Sequence, residues 1–125
     1  MGNPGDISFE PMGDYLLVRI TGTYSLDRVK HYTTDIVAAC KKHNCNRVLV
    51  DMRMQAGDIS ISDQFEMGTH MSEIWPARTT LAIVDSPHRI PSDDFFEKVV
   101  ANRGVPSKVF TNLEDAKGWL ASRKG

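Results

Sequence analysis

Apolar residues near the start of the chain alternate with polar ones, as in a strand that is covered on at least one face. Within residues 15–21, Leu16, Val18 and Ile20 fall on one side of such a strand. A second strand-like segment at 7–10 comes just before it, and the Pro and Gly between the two segments are typical of a turn. The pattern therefore predicts a β-hairpin.

After the hairpin, helical periodicity alternates with short apolar runs. The apolar runs predict strands at 47–52, 79–85 and 108–110. The helical segments each have start or stop signals, and they predict four helices. The first spans 26–43 with Ser25 as its cap, and the second runs from Ser62 to Trp75 with Phe65, Met71 and Ile74 facing inward. The third runs from Ser92 to Gly104, and the last spans 111–122 with Thr111 and Glu114 at capping-box spacing.

The order of these elements predicts the fold class. Strands that alternate with helices pair in parallel through right-handed crossovers, whereas the opening hairpin is antiparallel. We expect an α/β fold with a mixed, mostly parallel five-stranded sheet flanked by about four helices. The chain shows no linker, repeat or low-complexity segment, so residues 1–125 should form a single domain with its core at about 7–122.

Composition and charge indicate the kind of protein and its location more than its chemistry. Hydrophobic residues make up 41% and charged residues 25% of the 125 residues, as in ordinary globular proteins. A net charge of −1 gives no reason to expect nucleic acid or an anionic membrane as partner. No signal-like N-terminus and no transmembrane-length apolar run is seen, so we expect a cytoplasmic protein. Its two cysteines, Cys40 and Cys45, are interpreted as free thiols, with a disulfide as the open alternative.

Three stretches carry a resemblance to a known family: "LLVRITGTYSLDRV" (16–29), "RVLVDMRMQAGDISISD" (47–63) and "KVFTNLEDAKGWLAS" (108–122). In their order and spacing they resemble the STAS (SpoIIAA-like) domain of bacterial anti-sigma factor antagonists and of anion-transporter tails. The last stretch is similar to a branch described as STAS/SEC14-like. The resemblance implies a SpoIIAA-like fold in a small bacterial regulatory or binding module.

The same resemblance draws attention to the start of the second helix. In the antagonists, a partner kinase phosphorylates a serine there, within an Asp-Ser-Ser/Thr-Gly pattern. This chain has Asp58, Ser60 and Ser62 at that place, without the adjacent serine pair or the glycine. These three residues are candidates for phosphorylation or partner binding. The alternative is that Ser62, or Ser60 together with Asp63, only caps the helix.

A candidate face for a ligand or a partner lies beside these serines. Asp51 and Asp85 follow two buried strands, and ligands of open sheets bind outside the carboxyl ends of parallel strands. Neighbouring loop and helix residues complete this face: Arg53, Met54, Phe65, Met71, Trp75, Ser86 and His88. Its methionines and aromatic residues leave open an apolar small-molecule or lipid carrier, although ordinary core packing is the stronger interpretation of them.

The sequence gives no sign of catalysis. Its four histidines show no zinc-ligand spacing, and we find neither a phosphate-binding glycine loop nor a Gly-x-Ser-x-Gly turn. We therefore predict no catalytic residue, metal or cofactor, and recognition of a protein partner (a kinase or regulator) or of an apolar small molecule instead. The exposed side of the second helix leaves a homodimer open.

Overall fold

The structure is a computed structural model, and it describes residues 6–57, 59–76, 78–86 and 105–122. Within these ranges the chain forms six strands and three helices. In chain order they are β1 (Asp6–Pro11), β2 (Leu16–Thr23), α1 (Leu26–His43), β3 (Arg47–Asp51), β4 (Gln55–Ala56), α2 (Ile61–Ile74), β5 (Thr80–Val84), β6 (Ser107–Phe110) and α3 (Leu113–Ser122). The helix predicted from Ser92 to Gly104 lies outside the described residues.

The sheet is mixed and mostly parallel, as predicted. Its strand order is β1-β2-β3-β5-β6, and β1 pairs antiparallel with β2 while the remaining neighbours are parallel. The short strand β4 was not predicted. It pairs in parallel with the end of β2, where Gly22 lies opposite Gln55.

Two apolar clusters cover the two faces of the sheet. On one face, Leu16, Val18 and Ile20 of β2 pack with residues of α1 and with Met71 of α2. On the other face, the intervening Leu17 packs with apolar residues of α3. The alternation read from residues 15–21 therefore corresponds to a strand buried on both sides.

The ends of α1 and α3 show how local polar groups fix the helices. The Ser25 hydroxyl accepts a hydrogen bond from the Arg28 backbone amide, which confirms the predicted cap of α1. The capping box that Thr111 and Glu114 predicted for α3 is wrong by one residue. The Asn112 side chain accepts from the Asp115 backbone amide at 2.8 Å and donates to the Asp115 carboxylate at 2.7 Å. Asn and Asp form this reciprocal cap, so the helix begins at Leu113.

None of the helices in the described ranges has the length and apolar character needed to cross a membrane.

Candidate functional site

The carboxyl ends of β3 and β5 place two aspartates at one edge of the sheet. Asp51 is the last residue of β3 and pairs with Val84, and Asp85 follows Val84 directly. The Met52 backbone amide donates to the Val84 carbonyl at 2.8 Å, which holds the two strand ends together. Both carboxylates are buried, so each needs local partners.

Arg53 is the main partner of Asp51. Its Nε and Nη2 atoms donate to the two Asp51 carboxylate oxygens at 2.9 and 2.8 Å, and its backbone amide donates at 3.1 Å. Burial alone would raise the pKa of Asp51, but the hydrogen bonds and the positive charge of Arg53 outweigh burial and hold that pKa below its ordinary value. This bidentate pair therefore fixes the loop that follows β3. At the neighbouring strand end, the Ser86 backbone amide donates to Asp85 at 2.8 Å.

Ser60 is the residue that caps α2. Its hydroxyl accepts a hydrogen bond from the Asp63 backbone amide at 3.0 Å, and its carbonyl accepts from the Gln64 amide at 2.9 Å. The helix begins at Ile61, one residue earlier than predicted. Of the two capping alternatives, the structure therefore selects Ser60 with Asp63, and Ser62 lies exposed within the first turn.

Tyr24 ties the first turn of α2 to the end of β2, a link that the sequence analysis missed. Its hydroxyl donates to the Asp63 carboxylate at 2.9 Å. Burial and this neighbouring carboxylate raise the pKa of Tyr24, so its hydroxyl stays protonated as the donor. One turn further on, Lys30 of α1 pairs with Glu66 at 3.0 Å. Two contacts from the β2–α1 stretch of the chain thus hold the start of α2.

The inward stripe of α2 differs from the prediction. Its buried residues are Gln64, Met67, Gly68 and Met71, which recur at helical spacing. Phe65 lies one position off this stripe and is exposed, so its predicted inward orientation is wrong. Ile74 is half-buried at the far end of the helix.

Exposed apolar side chains concentrate in the stretch of chain that leads into α2 and includes its first turns. Among the described residues, four large apolar side chains are exposed, and three of them lie between positions 54 and 65: Met54 at 75%, Ile61 at 66% and Phe65 at 49%. Ile61 and Phe65 are four residues apart, so they share one side of the helix. We call Met54, Ile61 and Phe65, together with Ser60 and Ser62, the α2 face.

Two of the predicted face residues, Met71 and Trp75, lie in or against the core and not on the α2 face. Met71 is buried in the core, and Trp75 packs partly buried against that core while its indole nitrogen donates to the Thr79 carbonyl at 2.8 Å. Met52 is also buried there, so these side chains fill the interior. The apolar carrier gains no support from them and stays a prediction. Asp58 and His88 lie outside the described residues.

A metal centre was not predicted, and the described ranges hold no group of three or more His, Cys, Asp or Glu side chains placed to bind an ion.

Comparisons with known proteins agree with this architecture. No protein-family model matches the chain, and no curated protein matches it. Among solved structures, the chain is similar to the crystal structure of an anti-sigma factor antagonist from Mycobacterium paratuberculosis. The two share 12% sequence identity with a TM-score of 0.64, and the match covers 94% of each chain. The chain therefore has the STAS, or SpoIIAA-like, fold.

Proposed function

We propose that this chain is a regulatory module that binds a protein partner through the α2 face. The observation that carries the proposal is the concentration of exposed apolar side chains at Met54, Ile61 and Phe65. Apolar side chains that cluster on a surface with polar residues around them are typical of protein interaction sites. The fold shared with an anti-sigma factor antagonist supports the same conclusion by analogy.

The surroundings of the α2 face favour binding without large rearrangement. The Ser60 cap, the Tyr24–Asp63 hydrogen bond and the Asp51–Arg53 pair each fix the backbone next to an exposed apolar side chain. A surface whose backbone is already ordered loses less conformational entropy when it binds. Phe65 is the central anchor in this proposal, because aromatic side chains dominate interface energies.

Phosphorylation of Ser62 would switch this binding off. The Ser60 hydroxyl is occupied as the helix cap, whereas the Ser62 side chain is exposed. A phosphate on Ser62 would add nearly two negative charges beside Ile61 and close to Asp63 and Glu66. Desolvating that charge under a partner is costly, so the modified protein should bind more weakly. Replacement of Ser62 by Glu should weaken binding while replacement by Ala leaves it unchanged; equal affinities would contradict the switch.

Site-specific photo-crosslinking tests the proposed face. A photoreactive amino acid is introduced at Phe65, and in a matched control at Met12, which is also exposed but lies in the β1–β2 turn at the opposite edge of the sheet. In cells that produce the protein, we expect a discrete adduct with a different protein from position 65 and none from position 12. Adducts from both positions, from position 12 alone, or from neither would contradict the proposal. A crosslinked pair of copies of this chain would replace it with self-association.

A further inference from the structure

The turn that ends α1 brings two cysteines together. Asn44 adopts the left-handed conformation, with φ 50° and ψ 48°, and its backbone amide donates to the Lys41 carbonyl at 3.3 Å. The Cys45 amide donates to the Cys40 carbonyl at 2.9 Å. These two hydrogen bonds define a Schellman motif, which ends the helix and turns the chain back over its last turn.

This motif brings two particular residues close together, although the Cys45 thiol itself donates to the Arg47 carbonyl at 3.2 Å. The residue after the left-handed position packs on the residue five positions earlier, and the contact is usually apolar. Here those two residues are Cys45 and Cys40. Standard bond lengths and the 2.9 Å hydrogen bond limit their Cα atoms to a separation of about 7 Å. Disulfides bridge Cα atoms that are about 4.4 to 6.8 Å apart, so the backbone is already close to the required geometry.

The surroundings give the two thiols different roles. Cys40 is 3% exposed and belongs to the core, whereas Cys45 is half-buried. Both line one solvent-facing cavity of about 410 Å³ beside Lys41, Asn46 and Thr79. Burial and the neighbouring Cys45 raise the pKa of the Cys40 thiol to about 11. Because Cys45 is the more exposed of the two, it is the sulfur that a reagent from solution reaches first.

We infer that Cys40 and Cys45 form a redox-active dithiol that closes to an intrachain disulfide by exchange with a small-molecule disulfide such as oxidised glutathione. The Cys45 thiolate attacks one glutathione sulfur, the glutathione S–S bond breaks, and one glutathione thiol leaves with a proton. The Cys40 thiolate then attacks the Cys45 sulfur and displaces the second glutathione. Two protein thiols are oxidised to one disulfide, and one oxidised glutathione is reduced to two thiols.

The spacing of trypsin sites makes this disulfide directly measurable. Trypsin cleaves after Lys41 and Lys42, which lie between the two cysteines. A disulfide therefore joins the peptides HYTTDIVAACK (31–41) and HNCNR (43–47), whereas free thiols leave them separate. The folded wild-type protein is equilibrated with reduced and oxidised glutathione, quenched with acid, alkylated, digested and examined by mass spectrometry. We expect the linked peptide pair, and its loss after dithiothreitol treatment.

Two comparisons distinguish a disulfide favoured by the fold from nonspecific oxidation of the two thiols. The Cys40→Ala variant lacks the second thiol and should accumulate the Cys45–glutathione mixed disulfide, which the wild type should resolve. In denaturing guanidinium, the equilibrium constant for disulfide formation in the wild type should fall by roughly tenfold or more, because the unfolded chain no longer holds the two thiols together. The second comparison needs no variant, so a folding defect of Cys40→Ala does not affect it. A wild type that keeps the mixed disulfide, shows no linked peptides, or oxidises equally well when denatured would overturn the inference.

Discussion

Replacement of Ser60 by alanine tests whether the start of α2 is held as the structure shows. The Ser60 hydroxyl accepts a hydrogen bond from the Asp63 backbone amide at 3.0 Å. In the variant, that amide can hydrogen-bond only to water. Because Ser60 is exposed, water reaches the amide and the loss stays near the usual value for an N-cap, about 1 kcal/mol.

The expected change in melting temperature follows from the size of the chain. A protein of 125 residues has an unfolding entropy of about 260 cal/mol/K near its midpoint. A loss of about 1 kcal/mol therefore lowers the melting temperature by about 4 °C. Thermal unfolding followed by circular dichroism resolves a change of this size, and urea unfolding gives the free energy independently.

The matched control is Ser62→Ala, two residues further along the same turn. Ser62 is exposed and does not cap the helix, so its replacement should change the free energy of unfolding by less than about 0.5 kcal/mol. Equal destabilisation by the two substitutions, or a larger effect at Ser62, would refute the assignment of Ser60 as the cap.

Three further predictions test the contacts and the core that stabilise the fold. Because the folded-state pKa of Asp51 lies below its unfolded value of about 3.9, pairing with Arg53 stabilises the protein above that pH, and the contribution is lost as the pH falls through the folded pKa. The stability difference between wild type and Asp51→Asn, from urea unfolding at several pH values, should therefore shrink in acid, and a constant difference would contradict this. Tyr24→Phe should lower the free energy of unfolding by about 1 kcal/mol. A double-mutant cycle with Asp63→Asn should show coupling between the two residues, and purely additive effects would contradict their hydrogen bond. Leu49→Ala removes a fully buried side chain from the α3 side of the sheet and should cost about 2–5 kcal/mol in urea unfolding; a loss below about 1 kcal/mol would be inconsistent with its burial.

Much of the fold was predictable because its signals are local and repeat regularly. The alternation in residues 15–21 predicted a strand, and Ser25 marked the start of α1. By contrast, β4 has two residues and forms only because Gln55 and Ala56 meet the end of β2. So short a strand has no periodicity that a sequence can display.

The candidate site was harder to predict because its details depend on tertiary contacts. The inward stripe of α2 includes Gln64 and Gly68, so apolar periodicity alone placed Phe65 on the wrong side. Two serines close together offered two capping alternatives, and only the Asp63 amide decides between them. The hydrogen bond from Tyr24 to Asp63 spans 39 positions and leaves no local pattern.

The most direct test of partner binding measures affinity once crosslinking has supplied the partner. Isothermal titration compares the wild type with Phe65→Ser and with Met12→Ser, since both substitutions remove a large exposed apolar side chain. If Phe65 anchors the α2 face, its replacement should cost about 2 kcal/mol or more, a loss of roughly 30-fold in affinity, while Met12→Ser binds as the wild type does. Equal affinities for all three proteins would contradict recognition through the α2 face.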